Sequence, residues 1–274
     1  MIPQLQLHLP TVKELLVLFL KNEISKIGLS KGVIGLSGGI DSALAAYLAA
    51  EALGPENVLC IMMPYKTSSA SSITDAEAVI SNLGVRSERV EITAMVDPII
   101  DSDPEMEKVR RGNVMARMRM IVLYDRSARE KALVIGTGNK TEILLGYTTL
   151  FGDSACAINP IGDLYKTQVW ALAEYLGIPE QIIHKPPSAD LWNGQTDEDE
   201  LGIQYRQADE ILYFMIDERM TFDELTAKGF DSALIDKLVR LVQRNQFKRV
   251  PPLIAKVGSR TSNIDFRYAR DWGV

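Results

Sequence analysis

Cysteine is nearly missing from this chain. Cys60 and Cys156 are the only two thiols in 274 residues, and no Cys-x-x-Cys pair occurs, which argues against a disulfide framework and a cysteine-built zinc site. A positive-charge excess is missing too. Thirty basic residues face 36 acidic ones for a net charge of −6, a balance unsuited to a nucleic-acid groove as the main surface. No uninterrupted apolar run reaches about 18 residues, and the opening MIPQLQLHLP carries no basic segment followed by a long apolar stretch. The sequence therefore predicts a soluble, cytoplasmic protein that engages neither membrane nor nucleic acid. Repeats, low-complexity linkers and hairpin signals are absent. So are the Gly-Lys-Ser/Thr of a Walker A loop and the pattern Gly-x-Gly-x-x-Gly.

Hydrophobic residues make up 46% of the chain, enough for a large core, and the length suggests about one or two domains. The chain is organised around VIGLSGGIDSALAAYLAAEAL, residues 33–53. Val33 to Leu36 read as a short buried strand and Ala43 to Leu53 as a buried helix of strong helix formers. Between them, Ser37-Gly38-Gly39-Ile40-Asp41-Ser42 makes a tight polar turn. Adjacent glycines let an anion approach the main chain, and the free amides and dipole of the helix start favour negative charge there. The plain alternative is a strand-to-helix turn with Asp41 or Ser42 as N-cap. Asp41 sharpens the phosphate reading, because a carboxylate beside a phosphate needs a cation between them, and Mg²⁺ is the usual one.

Elsewhere the pattern alternates strand and helix, as in a doubly wound parallel sheet of the Rossmann-like kind flanked by helices. Residues 11–27 space Val12, Leu15, Leu16, Phe19, Leu20, Ile24 and Ile27 on one helical face. Val58 to Met63 is a buried strand, followed by a polar loop (65–74) where open α/β sheets place ligands. A helix is expected over 75–83, a third strand from Arg89 to Ile92, and a long helix over 108–131 with Met115, Met118, Ile121, Val122 and Tyr124 on its apolar face. A fourth strand runs from Ala132 to Ile135, residues 141–165 are loop-rich, and Lys166 to Tyr175 is a helix. Residues 185–202 read as a polar loop whose acidic run is a solvated face. A helical part with a break at Gly229 follows from Gln204 to Phe247, and then an irregular tail. One domain is expected over 1–274, its core sheet within about 30–180 and its helical part within about 197–274.

SGGIDS resembles the loop of the ATP pyrophosphatases, which cut ATP between its α- and β-phosphates. GNVMARMRM (112–120), IGTGNKTE (135–142), GYTTLFGD (146–153), NPIGDLYKT (159–167) and KPPSADLW (185–192), in that order and spacing, resemble the ammonia-dependent NAD synthetase family across nearly the whole chain. The resemblance implies ATP-dependent amidation of deamido-NAD to NAD through an adenylylated intermediate. It implies that Gly35, Leu36, Ser37, Gly38, Gly39, Ile40, Asp41 and Ser42 line the ATP phosphates, that Asp41 and Glu142 hold Mg²⁺, and that Thr137, Lys166 and Ser188 contact ATP or pyrophosphate. Asn113, Arg117 and Lys248 would bind deamido-NAD, Tyr147 would stack on its nicotinate ring, and Asp153 would serve the incoming ammonia. Leu150 and Ala157 stand where the commoner pattern carries Lys and Asp, and Phe247 where a His often precedes the C-terminal Lys; these three mark an altered substrate shell.

Read from the residues alone, Arg117 fits a solvated helix charge, Glu142 a helix N-terminal acid, Lys166 a cap for local carbonyls, Ser188 a turn, and Tyr147 core packing. His184 has no evident nucleophile or metal-ligand partner. Cys156, in SACAIN, reads as a core residue, and the length holds no glutaminase domain, so ammonia is the expected nitrogen source. A tRNA thiolase would want paired cysteines, and a nucleotide-sensing module would not want two acids for Mg²⁺. The resemblance also implies a homodimer, with the helices near 11–27 and 108–131 as candidate contacts.

Overall fold

The computed structural model describes residues 2–188, 196–262 and 264–266. Helix α1 (Leu9–Ser25) precedes β1 (Gly32–Gly35), α2 (Ile40–Leu53), β2 (Val58–Met62), α3 (Ala70–Leu83) and β3 (Arg86–Arg89). Next come α4 (Thr93–Asp101), α5 (Lys108–Glu130), β4 (Leu133–Val134), α6 (Lys140–Leu145), α7 (Lys166–Tyr175) and α8 (Glu180–Ile183). The last helices are α9 (Asp197–Leu201), α10 (Tyr205–Leu212), α11 (Phe222–Ala227) and α12 (Ser232–Arg244).

All four strands are parallel in the order β3-β2-β1-β4. From β1 the chain builds outward through β2 to β3, then crosses back to lay β4 on the other side of β1. That reversal opens a crevice beyond the carboxyl ends of β1 and β4, where such sheets bind ligands. Alternate strand residues feed opposite cores. Ile34, Cys60 and Met62 pack with α1, α2 and α7, whereas Val33, Leu59 and Ile61 pack with α4 and α5. A third cluster joins Leu5, Leu145 and Tyr165 to α10, α11 and α12, so the C-terminal helices close over the same edge as β4.

Several local expectations are corrected. Helix α3 starts at Ala70, not Asp75, because Ser69 caps it by accepting from the Ser71 amide at 3.2 Å; the serines that suggest a loop are its start signal. The third strand is Arg86–Arg89 rather than Arg89 to Ile92, since register pairs Leu59 with Arg86 and Met62 with Arg89. Its charged sequence suits an edge, and the apolar Ile92 instead buries beneath α4. Helix α6 overlaps the start of the loop-rich stretch 141–165, the rest of which is irregular as expected. Residues 251–260 are irregular as expected but exposed rather than packed. Two apolar stripes are not wholly inward: Leu15 of α1 is 60% exposed and Ile121 of α5 53%.

Candidate active site

The turn after β1 is tightly self-bonded. Ser42 Oγ donates to Gly39 O at 2.9 Å and accepts from the Ser37 amide at 3.2 Å, while Ser37 Oγ accepts from the Gly39 amide at 3.2 Å. The N-cap of α2 is therefore Gly39, not Asp41 or Ser42. Both hydroxyls serve the turn, and the first intrahelical bond runs from the Ala43 amide to Gly39 O, leaving earlier amides at the helix start for a ligand. Gly38 has φ +79°, and a Cβ there would sit 2.1 Å from Ser72 O. Only glycine fits both the left-handed backbone and that approach.

Asp41, in the first turn of α2, faces a buried cation. Its Oδ2 lies 2.5 Å from Lys166 Nζ and its Oδ1 accepts from Asn139 Nδ2 at 2.8 Å. Glu142 Oε1 stands 3.6 Å from the same Nζ. Lys166 is shut in, with 2% of its side chain exposed, whereas Asp41 and Glu142 keep 18% and 16%, so a ligand meets the acids before the lysine. Burial, together with the Asp41 charge and against the pull of Lys166, pushes the Glu142 carboxyl up to about 8. Burial works against the Lys166 ammonium, yet Asp41 and Glu142 outweigh it and hold it above its ordinary value. Two acids share one ammonium, a site short of positive charge. Glu142 also closes the N-terminal capping box of α6 with Asn139, so it is a helix-start acid and a member of the cluster at once.

Sequence reasoning misses three members. Asn139 is legible in retrospect from the Asn-x-x-Glu spacing of that box. Asp197 belongs to the acidic run read as a solvated face, and there the expectation fails. Asp197 is buried, 4% exposed, accepts from Tyr147 Oη at 3.1 Å and Tyr205 Oη at 3.2 Å, and has its carboxyl raised by burial. Tyr205, invisible in the pattern of α10, places its ring 5.3 Å from Lys166 Nζ. Tyr147 is not plain core either, because its hydroxyl also donates to Glu200 at 2.8 Å. Ser188 is exposed, and the neighbouring Pro187 O accepts from the Asp197 amide at 2.9 Å. Ala189 to Trp192 of that motif lie outside the described residues.

The deamido-NAD candidates gather on the segment 146–153. Asn113 Oδ1 accepts from Thr149 Oγ1 at 2.8 Å and Arg117 Nε donates to Leu150 O at 3.3 Å, both from α5. Lys248 Nζ donates to Gly146 O at 2.6 Å and Thr148 O at 2.7 Å. Asp153 is exposed and accepts from the Thr149 amide at 2.8 Å. A cavity of about 170 Å³ lies here, lined by Gly136, Thr148, Asp153, Cys156, Asn159 and Lys248 among others. Thr137, half-buried, follows Gly136 at the end of β4. Ala157 is exposed, its amide bonded to Val134 O at 2.9 Å. Phe247 is 56% exposed and does not line the cavity.

A family model described as NAD synthase matches residues 12–252. The NH(3)-dependent NAD(+) synthetase of Chlorobaculum parvum is 54% identical over 268 residues, 98% of this chain and 97% of that protein. Among solved structures, the NH3-dependent NAD synthetase from Campylobacter jejuni superposes with a TM-score of 0.79 at 36% identity, covering 92% of this chain and all of the other. The NMN synthetase from Francisella tularensis does so with 0.81 at 33% identity, covering 91% and 99%. With the family model spanning most of its length and a relative more than half identical end to end, this chain belongs to the NAD synthase family.

Proposed function

We infer that this chain joins ammonia to the nicotinate carboxyl of deamido-NAD, using ATP and releasing AMP, pyrophosphate and NAD. The observation that carries the reading is the Asp41, Lys166 and Glu142 cluster at the mouth of the Ser37–Ser42 turn, in the crevice between β1 and β4.

The nicotinate carboxylate attacks the α-phosphorus of ATP, the bond to the β-phosphate oxygen breaks, and pyrophosphate departs. The amides at the start of α2 meet that leaving charge, with the Lys166 ammonium behind Asp41 and Glu142 adding its field, and preorganised donors of this kind stabilise it without rearrangement. Asp41 and Glu142 both reach one cationic atom, and the neighbouring Asp41 charge adds to burial in raising the Glu142 carboxyl, as in a site short of positive charge. Such paired hard oxygens fit Mg²⁺, which takes one or two carboxylates plus phosphate oxygens and water. When bound, Mg²⁺ supplies charge neutralisation to the phosphates.

Ammonia then attacks the acyl carbon of the adenylylated substrate, and AMP leaves with the former carboxyl oxygen. Asp153, in its cavity, takes the proton the nitrogen sheds. A carboxylate held in place by the Thr149 amide and reachable from the cavity can serve as that base. Cys156 shares the cavity, but burial raises its thiol, which opposes a nucleophilic thiolate, and the only histidines are His8 and His184. Both facts support free ammonia over glutamine. Outward-facing Leu15 and Leu18 of α1 and Ile121 and Tyr124 of α5 support a homodimer. Among the described residues no helix is long and apolar enough to cross a membrane.

The test is exchange of labelled pyrophosphate into ATP, dependent on deamido-NAD, followed by NAD formation with ammonium or glutamine. Exchange with deamido-NAD and amidation by ammonium alone are expected. Preference for nicotinate mononucleotide would move the reaction to NMN formation, and glutamine-supported synthesis would overturn the nitrogen assignment. Asp153→Asn should slow amide formation about 10²-fold with exchange within twofold of the parent. Leu15→Glu should shift the mass by light scattering from dimer to monomer; an already monomeric parent removes that claim.

A further inference from the structure

One buried acid has no part in the mechanism above. Asp209, on α10, is 0% exposed. Its Oδ1 accepts from Thr141 Oγ1 at 2.6 Å and its Oδ2 from the Thr167 amide at 2.7 Å. Thr141 Oγ1 in turn accepts from the Lys166 amide at 2.9 Å. One carboxylate thus grips the first turns of both α6 and α7. Thr141 immediately precedes Glu142, and Thr167 immediately follows Lys166.

The opening amides of α7 have no partners within their own helix. Two of them, Lys166 and Thr167, are satisfied by this one relay, Thr141 for the first and Asp209 for the second. A negative charge at a helix start also suits its dipole. Among side chains of this size, only a carboxylate puts one bare acceptor oxygen on the hydroxyl and a second on the amide. An asparagine would accept from the Thr167 amide but turn its NH₂ toward Thr141 Oγ1, leaving the threonine hydrogen without an acceptor and the helix start without its charge.

We propose that Asp209 is a positioning residue that sets Lys166 at its distances from Asp41 and Glu142 by clamping the first turns of α6 and α7 together. The C-terminal helices then act in catalysis as well as in packing: α10 carries no group that touches the phosphates through Asp209, yet it determines where the lysine of the phosphate site stands. The inference rests on the adenylylation reading, since it assigns Asp209 to that half of the reaction and not to the ammonia half.

The experiment measures both halves in Asp209→Asn and Thr141→Val, after the parent has been shown to catalyse pyrophosphate exchange. A parent that does not exchange defeats the functional reading itself and is a different failure. A misplacement of about 1 Å at a reacting centre costs on the order of 10²-fold. Exchange is therefore expected to fall about 10- to 100-fold in either variant, as a drop in kcat, with the ammonia KM within twofold of the parent. Because both substitutions break one relay, the double variant should be no slower than the slower single one. Exchange within twofold of the parent in both variants overturns the proposal. So does an ammonia KM that rises in step with the loss of exchange, the result expected of general loosening. Should Asp209→Asn fail to fold, Thr141→Val decides by the same criteria, because it removes one hydroxyl and leaves the buried charge in place.

Discussion

Two charge clusters on the same sheet respond to pairing in opposite ways. Beyond β1 and β4, Asp41 and Glu142 share Lys166, and burial leads in raising Glu142 to about 8. On the edge strand β3, Glu88 faces two guanidiniums, Arg126 at 2.8 Å and Arg129 at 2.9 Å, which also pair with Asp125 and Glu130. There the hydrogen bonds from Arg126, against the cost of burial and with help from Arg129, lower Glu88 to about 2. The first cluster holds more acid than base around a shut-in lysine, its two carboxylates keeping only 18% and 16% of their side chains exposed. In the second every acid meets at least one guanidinium, Glu88 meets two, and Glu88 keeps 27% of its side chain exposed. An ion pair is stabilising or costly according to its stoichiometry and its access to solvent. A cluster left short of positive charge is poised for a ligand that supplies it.

The comparison breaks first at its cations. Lys166→Ala should cut pyrophosphate exchange about 10²–10³-fold, while Arg126→Ala should leave exchange within twofold. An equal loss in the two would erase the division between a working cluster and a structural one. Asp41→Asn comes next, with exchange expected to fall about 10²-fold but the melting temperature of the ligand-free protein no lower than the parent's. One acid then remains for one ammonium, so the repulsion is relieved and Lys166 keeps Glu142 as partner. Melting several degrees below the parent would show the first cluster to be stabilising as it stands.

Glu88→Gln gives the smallest effect, a loss of about 1 kcal/mol at pH 7 in denaturant unfolding, for a partly solvated pair. Because the folded carboxyl titrates near 2, below its unfolded value of 4.5, its contribution is complete above about pH 4.5 and fades as pH falls toward 2. The gap between parent and variant should close over that window. A gap constant from pH 7 to pH 2 would mean that Glu88 acts by packing, not by charge.

How much was legible follows from how local each signal is. The β1 turn could be read because two glycines and a carboxylate must be adjacent to work, and helix α7 because its start and stop lie within its own sequence. Strand β3 was misplaced because an edge strand needs no apolar pattern. Asp197 was hidden because an acidic run looks the same whether its first member meets water or two tyrosine hydroxyls. Asp209 gave no signal at all, since its partners stand 68 and 42 positions away.

The sequence by itself determined the parallel sheet and the glycine turn after β1, because short-range backbone chemistry carries those properties, while only the resemblance to a family put Asp41, Glu142 and Lys166 in one site. Tertiary structure alone decided which acids are buried, how many face each cation and which helices clamp the site. Burial and electrostatic coupling depend on distance through space, and a chain order that separates Asp41 from Lys166 by 125 positions holds no record of a 2.5 Å contact.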